Sequence, residues 1–134
     1  MDRSGAHLRI LLVIAAERRR EISRQLLPLG AQLVFADPSG QTEESIQEDD
    51  IFHVAIFPAT LTDTAWWKLW GMLELLSKRP AILVYAREVT FQLWSGVLES
   101  GGFDVIVEPF SDEEICAAVS QAAESFEGRV SNGG

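Results

Sequence analysis

The feature that most constrains this chain is a recurring pattern: apolar runs of about five to seven residues, each followed by a longer segment with helical spacing. The run LRILLVI (8–14) places Leu, Ile and Val on both faces of an extended segment. A strand wet on one side would alternate polar with apolar, so this run suits a central parallel strand covered on both sides. The segment 17–29 then puts Ile22, Leu26 and Leu29 on one helical face and stops at Gly30, a natural C-terminal residue.

The unit repeats. AQLVFA (31–36) reads as a second strand closed by the turn residues DPSG, and QTEESIQ (41–47) as a short polar helix anchored by Ile46. IFHVAIF (51–57) is the third strand, and TDTAWWKLWGMLELL (62–76) the next helix, with Thr62 or Asp63 as its cap. RPAILVYA (79–86) and VTFQLWSGVLES (89–100) form the fourth pair, closed by Gly101 and Gly102. FDVIV (103–107) is the fifth strand. The last helix opens on SDEE, a capping box between Ser111 and Glu114, and is expected to run to about Phe126. Residues 1–7 and 127–134 are expected to be disordered ends around a domain spanning 8–126.

Five strands alternating with five helices predict a single three-layer α/β domain: a parallel sheet of order 2-1-3-4-5 with helices on both faces, joined by right-handed crossovers. In such sheets ligands bind outside the carboxyl ends of the strands. The stretch VIVEPF (105–110) places Glu108 at that end.

Composition closes several routes. With 11 basic against 20 acidic residues, net −9, the chain is a poor partner for nucleic acid. Its one basic cluster, Arg18 to Arg20, reads as a solvated helix face. Cys116 has no second cysteine, and His7 and His53 are the two histidines, so neither a disulfide nor a zinc framework can form. His53, inside a strand, reads as a packed imidazole. LRILLVIAA is too short to span a bilayer and leads into ERRR, which makes a cytoplasmic protein the expectation. No glycine-rich phosphate loop is present, since Gly101 and Gly102 end a helix. Trp66, Leu69, Trp70, Leu73 and Leu76 share one helical face as ordinary core; Trp67 and Leu75 fall off it, to be covered by the polar second helix or by a partner.

The order of elements, the segment ESGGFDVIVEPF and the helix-opening SDEE together resemble the receiver domain of two-component response regulators, a flavodoxin-like fold, and are similar to the chemotaxis receivers. The resemblance covers 8 to about 125. It implies a role in bacterial signal transduction within a phosphorelay, with no enzymatic activity and no cofactor of the chain's own. Taken position by position, it also implies a degenerate site. The phosphoacceptor aspartate is replaced by Pro58, the acidic magnesium pair by Ile14 and Ala15, the switch hydroxyl by Tyr85, and the phosphoryl-pairing lysine by Glu108. Neither acyl phosphate nor a magnesium site can be built from such side chains.

The expected function is therefore that of a pseudo-receiver acting through phosphorylation-independent contact with a protein partner. The resemblance further implies a cis peptide at Pro109. It also implies a possible homodimer through the face of the helix 89–100, the fifth strand and the last helix, with Trp94, Ala118 and Ala122 as interface residues. The alternative is a flavodoxin-like small-molecule-binding protein or small enzyme using a cleft near Glu17, Tyr85, Arg87 and Glu108. No nucleophile, base and orienting partner can be assembled there.

Overall fold

Each predicted strand is present, and the five form one parallel sheet of order β2-β1-β3-β4-β5. The structure, a computed structural model, describes residues 8–36, 51–59, 71, 73, 78–99 and 101–133, with side chains to Gly128. The strands are β1 (Arg9–Val13), β2 (Gln32–Ala36), β3 (Val54–Pro58), β4 (Ala81–Ala86) and β5 (Asp104–Val107). The described helices are α1 (Arg19–Leu26), α2 (Phe91–Glu99) and α3 (Asp112–Gly133).

Every residue of β3 and β4 is buried, which explains their unbroken apolar sequences. Because side chains alternate across a sheet, the two parities feed two cores. Ile10, Leu12, Ile56 and Leu83 meet Ile22 and Leu26 of α1 and Ile115, Val119 and Phe126 of α3. Leu11, Val13, Phe57, Ile82 and Val84 meet Phe52, Leu73 and Val97 on the other side. Gly71 and Leu73 are helical and Leu73 is fully buried, on the face predicted for it. The helix expected at 41–47 lies outside the described residues, as do Trp66, Trp67 and Trp70.

The element ends depart from the sequence reading for identifiable reasons. The segment 17–29 is not one helix: a 3-10 turn (Ala16–Arg18) precedes α1 and another (Leu27–Leu29) follows it. Pro28 has no N–H to donate and its ring crowds the carbonyl four residues back, so the α-helix ends before it. Gly30 then takes the left-handed conformation at φ 62°. α2 begins after Thr90, whose Oγ1 accepts from the Leu93 N–H at 3.0 Å, rather than at Val89. It closes with Gly101 at φ 96°, donating its N–H to Leu98 O. α3 continues to Gly133, past Phe126, because nothing in EGRVSN blocks helical bonding and a glycine such as Gly128 costs only about 1 kcal/mol.

The capping box forms as drawn from SDEE. The Glu114 N–H donates to Ser111 Oγ at 3.0 Å, and the Ser111 N–H donates to Glu114 Oε1 at 2.8 Å. α3 then turns Ala122 fully into the core, which corrects the expectation that Ala122 lies on a docking surface, while Ala118 is half-buried at the edge of that core. The reason is register: Ile115, Val119, Ala122 and Phe126 make one i, i+4, i+7, i+11 stripe facing the sheet.

Leu83→Ala, which empties the centre of β4, is expected to lower unfolding free energy by about 3 kcal/mol in urea denaturation. Ser111→Ala, which removes one cap acceptor, is expected to cost about 1 kcal/mol by the same measurement.

Candidate functional site

The carboxyl ends of β1, β3, β4 and β5 meet around a short ladder of contacts. Pro58 ends β3 in register with Tyr85 of β4, and both are buried. Proline offers no N–H to the ladder, and the next residue restores it, with the Ala59 N–H donating to Tyr85 O at 2.9 Å. Ile14 follows β1, only 1% exposed, and donates its N–H to Ala36 O at 3.1 Å. The Tyr85 hydroxyl donates across the sheet to Val13 O at 3.3 Å, so its ring belongs to the core and its polar end ties β4 to β1. Burial pushes the Tyr85 phenol up to about 12; the Arg18 cation pulls the other way, and the Glu108 carboxylate adds to the rise.

Glu108 follows β5, its N–H donating to Ala86 O at 2.8 Å, and the Glu108–Pro109 peptide is cis. Its carboxylate accepts an ion pair from Arg18 at 3.1 Å. The guanidinium of Arg18 also lies 5.5 Å from the centre of the Tyr85 ring. The partner of Glu108 is therefore Arg18, which corrects the reading of Arg18 as part of a solvated helix face. The 3-10 turn after β1 swings it back over the strand ends. Of the same triplet, Arg19 lies over the Phe35 ring at 5.3 Å and Arg20 remains exposed.

Beside this pair is a cleft of about 360 Å³ lined by Arg18, Glu21, Gln25, Arg87, Glu108, Pro109 and Phe110. Glu17 is exposed and is not among its lining residues. The cleft wall is fixed by bonds between α1 and the start of α3. Gln25, nearly fully buried, donates through Nε2 to Phe110 O at 3.2 Å, and Arg24 pairs with Asp112 at 3.1 Å. Hydrogen bonds from Gln25 and Arg24 hold the Asp112 carboxyl below its usual range. The Cys116 thiol donates to Gln25 O at 3.1 Å, and burial, then Asp112, pushes its pKa up, away from thiolate reactivity.

At the far end of the sheet, His53 packs against Phe126 with ring centres 5.1 Å apart. Its Nδ1 accepts from the Arg9 N–H at 3.1 Å. That bond requires the nitrogen to be unprotonated, which fits a packed imidazole.

A divalent metal does not fit the strand ends. Magnesium needs several oxygens, and Ile14, Ala15 and Pro58 supply none from their side chains. Glu108 is already matched to a cation. Among the described residues no group of three His, Cys, Asp or Glu side chains could hold an ion, and no helix is long and apolar enough to cross a membrane.

No protein-family model matches the sequence, and no curated protein matches it. Many solved structures do match in fold. A CheY-like response regulator receiver domain from Methanospirillum hungatei superposes with TM-score 0.76 at 17% identity, over 92% of this chain and 99% of the other. A response regulator from Thermotoga maritima gives 0.70 at 12% identity, over 88% and 98%. The chemotaxis protein CheY4 of Vibrio cholerae gives 0.68 at 16% identity, over 87% and 99%. The chain thus has the flavodoxin-like receiver fold.

Tyr85 is the only tyrosine, so its titration can be followed by phenolate absorbance in the intact protein. The folded pKa lies above the ordinary value of 10.0, so the stability this group contributes is intact below pH 10 and is lost as pH rises toward 12. The expected result is a single phenol titrating near pH 12, with Tyr85→Phe reducing the alkaline loss of stability. A midpoint near 10 in the folded protein would contradict the buried placement.

Proposed function

We propose that this chain is a pseudo-receiver: a signalling module that acts through phosphorylation-independent association with a protein partner. The observation that carries this reading is the Arg18–Glu108 pair at 3.1 Å. The resemblance to receivers implies carboxylates beside the first strand and a lysine after the fifth, arranged around a phosphoryl group. Here the polarity is inverted, with the cation coming from the first turn and the carboxylate following β5, and the two satisfy each other without a third charge. Pro58 adds the chemical reason, since its ring has no nucleophilic oxygen where an acyl phosphate would form.

Association is assigned to the α2 and β5 face, where Trp94 is exposed. The resemblance also implies self-pairing through the face of α2, β5 and α3, which light scattering at micromolar concentration would detect. The small-molecule reading has less to rest on, because the central charges of the cleft are already paired.

The test is incubation with acetyl phosphate and magnesium, or with beryllofluoride and magnesium, followed by intact mass and tryptophan fluorescence. Unchanged mass and fluorescence are expected; a phosphorylated species would overturn the reading. Glu108→Lys, which restores the receiver-type residue, is expected to lower stability by about 1 to 3 kcal/mol, because it places a second cation against Arg18 at a mostly buried position. It is also expected to leave the protein unphosphorylated.

A further inference from the structure

His53 joins three elements at the amino end of the sheet. It stands just before β3, and its N–H donates to Arg9 O of β1 at 2.9 Å. The Arg9 N–H answers by donating to the ring, at Nδ1 and 3.1 Å, so an imidazole nitrogen takes the place of a backbone acceptor where β1 begins. The ring then meets Phe126 of α3 edge-on, 5.1 Å between centres. Phe126, 4% exposed, is the last member of the stripe that holds α3 on the sheet, and beyond it the helix continues to Gly133.

Because Nδ1 accepts, the neutral ring carries its proton on Nε2. That nitrogen lies 3.8 Å from Glu127 Oε2, beyond hydrogen-bond length. A second proton has only Nδ1 to go to, and there it would point at the Arg9 N–H. The closed arrangement therefore takes the imidazole and rejects the imidazolium: charging the ring strips the Arg9 amide of its acceptor and requires the ring to turn off Phe126. The side chain is 12% exposed, which lets a proton arrive but leaves too little water to solvate the resulting cation well.

The charges of the neighbouring elements differ in sign. β1 contributes Arg9, whose guanidinium donates to Ile51 O at 3.3 Å and lies 4.6 Å from the centre of the Phe52 ring, a cation fixed beside the imidazole. The turn into β4 carries Lys78 and Arg79, shortly before Ala81, whose N–H donates to His53 O at 3.0 Å. α3 contributes Glu127, which attracts an imidazolium, but its carboxylate is 60% exposed and water screens the pull. Asp49 and Asp50 precede Ile51 in sequence and lie outside the described residues.

We propose that His53 is a proton-operated latch: neutral, it holds the end of α3 on the sheet, and protonated, it releases the helix from Phe126 onward. This goes beyond the pseudo-receiver reading and does not depend on it. Protons favour the open state, so the latch is whole above the ordinary histidine pKa of about 6.5 and weakens as pH falls below it. With the open imidazole titrating there, opening becomes up to about tenfold easier at pH 5.5, one unit lower.

The experiment is hydrogen exchange read by mass spectrometry on the full chain at pH 7.5 and 5.5, each rate divided by the intrinsic rate at its pH. Peptides covering 124–133 are expected to lose several-fold, up to about tenfold, in protection at pH 5.5, while those of β4 keep theirs. Within that window histidine is the side chain whose charge ordinarily changes. His53→Asn, whose Oδ1 replaces Nδ1 as an acceptor that does not titrate, is expected to remove the pH dependence. Glu127→Gln, at an exposed position, is expected to keep or enlarge the loss, since it removes the attraction that opposes opening. His7→Gln, at the other histidine, is expected to leave the loss unchanged.

Circular dichroism of each variant checks folding. Equal protection of the α3 end at both pH values would overturn the inference, and so would better protection at pH 5.5, which would mean that Glu127 outweighs the lost Arg9 bond. A wild-type pH dependence surviving in His53→Asn would do the same. Should His53→Asn fail to fold, Glu127→Gln and His7→Gln decide: a smaller loss in either variant counts against the latch.

Discussion

The whole architecture depends on burying β3 and β4 from both sides. A parallel strand satisfies its backbone through its neighbours in the sheet, but its side chains point alternately to opposite faces, and in these two strands both faces are apolar. Neither face can be left to water, so two helical layers are required and each connection must cross over one of them. That requirement brings α1 and α3 together on one face and sends α2 to the other. It also delivers all the strand carboxyl ends to one edge, where the candidate site lies.

At that edge the electrostatics close locally. Glu108 is mostly buried and would be costly as a lone charge, while Arg18 keeps its other side in water and spreads its guanidinium over Tyr85. The tyrosine hydroxyl is spent on Val13 O and offers no proton to the cleft. The result is a neutral, hydrogen-bonded cap on the sheet. The peptide bond before Pro109 is cis. Likeness at 12% to 17% identity speaks for the fold and leaves the chemistry to the site.

Strand number, sheet order and the terminal capping box were legible because each has a strong local signature: double-sided apolar runs, the strand-helix alternation, and Ser and Glu three residues apart. What escaped was the direction of a single side chain. Arg18 belongs to a triplet that, on a regular helix, would point to solvent, and only the 3-10 turn shows that it folds back over Tyr85. A signal was available, since a carboxylate after β5 needs a nearby cation and Arg18 follows β1 at the same edge. Ala122 was misassigned for the opposite reason. Small residues fit either a tight interface or a core stripe, and the spacing from Ile115 to Phe126 decides for the core.

α3 completes the layer that α1 begins, through Ile115, Val119, Ala122 and Phe126. In order of synthesis it comes after every strand. A ribosome that has released β5 but not yet residue 126 therefore holds a sheet with one side only partly covered, its Leu12, Ile56 and Leu83 lacking their final cover. For that interval the growing chain exposes apolar surface that the last helix later covers.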